Sequence, residues 1–185
     1  KSYRPETHSI SSGQVLTRPY KWAEARNVVM EMIDSVALEL VDKGLVTNQI
    51  VLQIGYDTES LRNPAIVATY TGRVVADHYG RPVPAHAHGS SNIAHPTSSG
   101  DTLTAHVTAL FDRIVDRNLL VRRITICAAH LVEEQPFERA RAERPVQLDL
   151  FTDYDELRRR EKAERENRER ERRRQQAVLR IKKTF

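Results

Sequence analysis

Two segments of this chain carry apolar residues at three- and four-residue spacing, while the segments around them alternate with a period of two. That combination restricts the fold more than any single motif. Trp22, Ala25, Val29, Met32, Ile33, Val36 and Leu40 give one apolar face to a helix predicted over residues 21–42, with Lys43-Gly44 as its stop. Leu103, Val107, Leu110, Phe111 and Ile114 do the same for a second helix, for which Thr97-Ser98-Ser99 offers N-caps. Strands are predicted at residues 9–16, 49–56, 86–93 and 119–131. In the last of these Ile124, Ile126 and Ala128 face one way, and Arg123, Thr125 and Cys127 the other. Residues 57–84, rich in Pro and Gly, read as a long loop or an extra hairpin with a strand-like piece at 73–76. The order is strand, helix, strand, strand, helix, strand. Helices with single apolar faces must share one side of the sheet, so the expected class is α+β: a two-layer βαββαβ fold whose four-stranded sheet keeps its other face open. That face carries Arg, Thr, Ser and Gln, and is available to a partner.

Beyond Val132 the character changes. Residues 134–152 are polar, with Pro136 and Pro145, and read as a linker; an apolar pentapeptide, Gln147-Leu148-Asp149-Leu150-Phe151, interrupts it. Residues 153–185 form an Arg/Glu tract almost without breakers, expected to be a long exposed helix with i,i+4 Glu–Arg pairs. The expected division is therefore 1–133, 134–152 and 153–185. The tract holds 13 Lys+Arg against 8 Asp+Glu, which leaves 16 basic and 17 acidic residues for positions 1–152. Nucleic-acid binding by the folded part would need a local patch, because there is no overall positive field.

Several function classes recede at once. No apolar run approaches the ~20 residues of a membrane span, and no membrane partner is expected. Nothing at the N-terminus resembles an export signal. The lone Cys127 excludes an internal disulfide and a multi-cysteine zinc site, which fits a cytoplasmic protein. A first residue of Lys rather than Met suggests a piece of something longer.

His8-Ser9-Ile10-Ser11-Ser12-Gly13, Ile54-Gly55-Tyr56-Asp57, His86-Ala87-His88-Gly89, Pro96-Thr97-Ser98-Ser99 and Leu119-Leu120-Val121-Arg122-Arg123-Ile124, in that order, resemble the little-finger (polymerase-associated) domain of Y-family DNA polymerases of the UmuC/DinB type. The similarity covers about residues 1–151 and points most closely to the UmuC-like polymerases of Gram-positive bacteria. It implies an error-prone polymerase of translesion synthesis, DNA repair and the SOS response. The little finger of that family holds primer–template DNA in a sequence-independent way, mainly through phosphates. Carried over residue by residue, the resemblance implies DNA contacts at Arg122 and Arg123, at Ser9, Ser11 and Ser12 in the first strand, and at Ser98 and Ser99 at a helix N-terminus. His8 departs from the family, whose members often have Lys there. Relatives can also carry a further Arg near the position of Cys127.

The pentapeptide Gln147–Phe151 resembles the bacterial clamp-binding consensus. By that resemblance Gln147 makes polar anchoring contacts, Leu148 and Asp149 continue an extended segment, and Leu150 with Phe151 fill an apolar pocket of the sliding clamp, the beta subunit of the replicative polymerase. The alternative is that Leu148, Leu150 and Phe151 pack on the domain or begin the tail helix.

No catalytic residue and no metal site is expected in this chain. His78, His86, His88 and His95 lie close in sequence, but without carboxylate or Cys partners at ligand spacing. No pair of acidic residues is spaced to hold catalytic Mg2+; in the family those carboxylates belong to the palm, so no cofactor is expected in this portion. Two further readings stay open. One is a stand-alone clamp-binding regulator or DNA-binding protein, the other a small His-dependent metalloenzyme. The charged tail is either a helix drawn to DNA or a docking arm for another protein.

Overall fold

A computed structural model describes residues 9–135 and 154–184. Strand β1 (Ile10–Tyr20) leads into helix α1 (Trp22–Lys43), which is followed by β2 (Leu45–Tyr56). A 3-10 turn (Thr58–Leu61), a single-turn helix α2 (Pro64–Val67) and a small hairpin of β3 (Val74–Ala76) and β4 (Pro82–Pro84) come next. Then come β5 (Ala87–Thr97), helix α3 (Gly100–Ile114), β6 (Val121–Ala129), the two-residue β7 (Val132–Glu133) and helix α4 (Tyr154–Thr184).

The main sheet runs β1-β6-β2-β5, all antiparallel, with β7 added to the start of β2. The α+β expectation holds: two helices cover one face of an antiparallel sheet. Ile50, Leu52 and Ile54 of β2 and Ile124, Ile126 and Ala128 of β6 point into a core closed by Val29, Ile33 and Leu40 of α1 and Leu103, Val107 and Phe111 of α3. Strand alternation makes this work, since every second residue of the two central strands is a buried aliphatic. Truncating one of these to Ala costs about 2–5 kcal/mol. Helix α3 lies close against the sheet over Gly89, where an added Cβ would come within 3.1 Å of Leu110 and Ile114.

Local chemistry sets the boundaries. Helix α1 begins where the Glu24 carboxylate accepts the Lys21 backbone N–H at 2.9 Å, and it ends at Gly44 in the left-handed region, φ 64°. Helix α3 begins at Ser99, whose hydroxyl accepts the Thr102 N–H. Strand β1 runs through Pro19, past the predicted end at residue 16. It is an edge strand with a register irregularity between Val15 and Tyr20, and both features accommodate a residue without an N–H. The ambiguous stretch 57–84 resolves as the hairpin, tied down through Tyr70, whose hydroxyl donates to the Arg73 carbonyl at 2.9 Å.

Candidate nucleic-acid interface

The sheet face away from α1 and α3 is built from three rows of side chains fixed by register. Val15, Arg123 and Gly55 form the first row. Gly13, Thr125, Gln53 and His88 form the second, and Ser11, Cys127, Val51 and Ser90 the third. Gln49 and Asn92 extend it, joined by a 2.8 Å hydrogen bond. No Asp or Glu occurs at any of these positions. In a chain with nearly balanced charge that absence is informative, because it leaves one guanidinium to set the sign of the whole surface.

Arg123 is exposed and, among the described residues, has neither a hydrogen bond nor an ion pair. Gly55 stands beside it, and a Cβ there would sit 3.2 Å from the Cβ of Arg123. Its other neighbour, Val15, is 58% exposed. The guanidinium therefore stands on a low, uncluttered surface to which a phosphate backbone has access. Gly13 similarly keeps the profile low beside Thr125.

Arg122 belongs to a different environment. A register shift between the Gly55–Arg123 and Tyr56–Val121 pairs takes it out of the simple alternation, and it lies 3.7 Å from the largely shielded carboxylate of Asp57. Part of its charge is thus already answered inside the protein. Ser11 lies on the open face and Ser9, exposed, precedes β1 on the same side by alternation. Ser12 is paired with Ile126 and takes the helix-side parity, at the outer edge of the sheet.

Ser98 and Ser99 sit at the start of α3, on the helix layer. The free N–H groups expected there do attract an anion, and that anion is the protein's own. The Glu171 carboxylate of α4 accepts from Ser99 Oγ at 2.8 and 2.9 Å and from the Asp101 N–H at 3.0 Å. Gln175 Nε2 donates to the Ser98 carbonyl at 3.1 Å. Hydrogen bonds to a charged group contribute about 1.5–3 kcal/mol each, so this occupancy is substantial. The structure thus brings Arg123 and Ser11 together on one surface, leaves Ser12 at its edge, and places Ser98 and Ser99 behind it. Gln53, His88, Gly13 and Gly55 complete the surface; all but Gln53 lie in the segments that carry the family resemblance, but only the register between strands places them together.

The segment 147–151 lies outside the described residues. Among the described residues no group of three His, Cys, Asp or Glu side chains is placed to hold a metal ion, and no helix is long and apolar enough to cross a membrane.

No curated protein matches this sequence. A solved structure described as a complex of the beta-clamp processivity factor and the little finger domain of PolIV is similar over 78% of this chain and 100% of that one, at 11% identity and a TM-score of 0.43. The model of the impB/mucB/samB family C-terminal domain matches residues 7–150. That is most of the chain and includes every strand described above, so the chain belongs to the impB/mucB/samB family, as its C-terminal domain.

Proposed function

We propose that this chain is the DNA-gripping and clamp-docking portion of an error-prone Y-family polymerase acting in translesion synthesis, DNA repair and the SOS response in the cytoplasm, of the UmuC-like type of Gram-positive bacteria. The observation that carries the DNA-binding half is an open sheet face that, among the described residues, has no carboxylate in its rows and no partner for Arg123 at its end. From β1 to β5 the sheet is about 14 Å across, comparable with the ~12 Å major groove of B-DNA, so it suits lying along a duplex. Its Ser, Thr, Gln and Arg side chains are donors for phosphate and sugar oxygens, which position a duplex without reading sequence. Arg122, Ser9, Ser12, Ser98 and Ser99 are secondary candidates on this reading. Chemistry on the nucleotide, and the Mg2+ it needs, would belong to the palm of the parent protein.

The clamp-docking half rests on Gln147-Leu148-Asp149-Leu150-Phe151, an apolar cluster set in a polar stretch between two folded segments. An extended peptide with two or three apolar anchors suits a preformed cleft.

Two measurements test the proposal. Primer–template affinity is titrated at two salt concentrations for wild type and Arg123→Ala. The variant is expected to bind roughly fivefold to tenfold more weakly, with a salt slope smaller by about 1. Salt-independent binding, or an Arg123→Ala variant equal to wild type, contradicts the sheet-face assignment. Clamp capture is compared with a Gln147→Ala, Leu150→Ala, Phe151→Ala triple change, and equal retention contradicts docking. If capture persists without any DNA affinity, the stand-alone clamp-binding regulator is the better reading.

A further inference from the structure

The charged C-terminal helix does not simply stand in solvent. Its second half lies along α1 and the start of α3, held there by a series of hydrogen bonds and ion pairs. Glu171, only 9% exposed, caps α3 through Ser99 and Asp101. Arg172 makes a two-pronged pair with Glu134 at 2.7 and 2.8 Å, and the Glu134 backbone is itself pinned to the Gly44 carbonyl. Arg174 lies 3.9 Å from Asp101, and Lys183 pairs with Asp42. The start of α3 lies close beneath α4: a Cβ added at Gly100 would be in ordinary van der Waals contact with Gln175 at 3.4 Å and Glu171 at 3.7 Å.

Two features mark this seat as one the helix can leave. Apolar burial in the docked half is slight: Val178 remains 41% and Ile181 61% exposed, and only Leu179 among its larger aliphatic side chains is half-buried. A contact made of ion pairs and charged hydrogen bonds weakens with salt and with competing polyanions. The seat also lies on the wrong side for the helix's surplus charge to help the open face. With one helix layer and the sheet between, the separation is on the order of 20 Å, against a Debye length of about 8 Å at physiological salt.

We propose that α4 is a releasable basic arm, latched on its own domain through Glu171 and serving, once unlatched, as a second nucleic-acid-binding element. Docked, it ties up Arg172, Arg174 and Lys183 against Glu134, Asp101 and Asp42. Released, it adds a tract of 13 Lys+Arg against 8 Asp+Glu to whatever the sheet holds. The partner class, a nucleic-acid backbone, rests on the function proposed above.

The test uses the whole chain, with amide hydrogen exchange and primer–template affinity measured on the same samples. Glu171→Ala is expected to remove protection from the Asp101 and Thr102 amides and from the second half of α4, and to raise affinity about threefold or more at low salt. Glu166→Ala makes the same charge change on the undocked half; it should leave protection intact and raise affinity far less. Lost protection without the affinity gain overturns the arm's binding role, and unchanged protection overturns the latch. Should Glu171→Ala fold poorly, Glu134→Arg is expected to unseat the arm and Glu134→Arg with Arg172→Glu to reseat it; an arm equally protected in both contradicts the proposal. Arg123→Ala, made in wild type and in Glu171→Ala, separates the two readings. An Arg123→Ala change without effect beside an active Glu171→Ala sinks the sheet face and keeps the arm, and the reverse pattern sinks the arm alone.

Discussion

At the scale of single residues, the fold and the site depend on how each charge is answered. Arg18 shows the ordinary case: its guanidinium meets Glu24 at 2.6 Å, and Glu24 also accepts the Lys21 N–H that opens α1. The Arg18 hydrogen bond first, then the Lys21 N–H, hold the Glu24 carboxyl down at about 2. A carboxyl whose folded value is depressed stabilises the fold above its unfolded value, about 4.3. That contribution is lost as pH falls through about 2. The expected outcome is that Tm falls further between those two limits for wild type than for Glu24→Gln; identical pH profiles would contradict it. Arg123 is the contrasting case, with no answering group among the described residues. Its charge was legible in the sequence, and so was its face, because Ile124 and Ile126 fix the parity of the strand. Ser11 and Ser12 illustrate the same rule: as neighbours on one strand they cannot share a face, and the register with Cys127 and Ile126 decides between them. What no local pattern revealed is the Ser99–Glu171 contact, which joins positions 72 residues apart.

At the scale of elements, periodicity located α1, α3 and the four long strands of the main sheet, because each buries one repeating face. Boundaries followed less well. The first strand is expected to end at residue 16, yet β1 continues through Pro19, since β1 bonds only to β6 and the missing donor costs nothing on the free side. Strand β7 has two residues and no alternation to detect, and its existence depends on Leu45 and Val46 being nearby. Helix α4 was readable as a helix from its lack of breakers, but its seat was not, since Glu171 is one of 8 acidic residues in a repetitive tract. The packing of α3 on the sheet has a single narrow point at Gly89. Gly89→Val drives a branched side chain into Leu110 and Ile114, where overpacking costs about 1–3 kcal/mol. A lowering of Tm by roughly 2–4 °C per kcal/mol is expected in thermal unfolding. A variant as stable as wild type would mean that α3 can move off the sheet at no cost.

At the scale of the whole molecule, charge is divided by function. Residues 1–152 are almost neutral in sum and, among the described residues, the rows of the open sheet face carry no carboxylate, while the surplus of positive charge lies in α4, folded against the opposite side. On the proposed function, a domain so arranged would grip DNA modestly by itself, which gives a clamp-docking peptide and a releasable arm something to add. Clamp capture should therefore depend on Gln147, Leu150 and Phe151 and be indifferent to Arg123→Ala, with DNA affinity showing the reverse; a clamp pull-down and a DNA titration on the same two variants check this. Loss of both activities in either variant would mean that the two surfaces are not separate.

The central claim is that the open sheet face, and not the helical layer, meets nucleic acid. The most direct measurement is a map of amide and side-chain chemical-shift changes in the labelled chain as primer–template DNA is added. The largest changes are expected at Ser11, Gly13, Gln53, Gly55, Arg123 and Thr125, with weaker ones along α4 as its arm is drawn away. Changes confined to α1, α3 and the β3–β4 hairpin, with the sheet face silent, would contradict that claim.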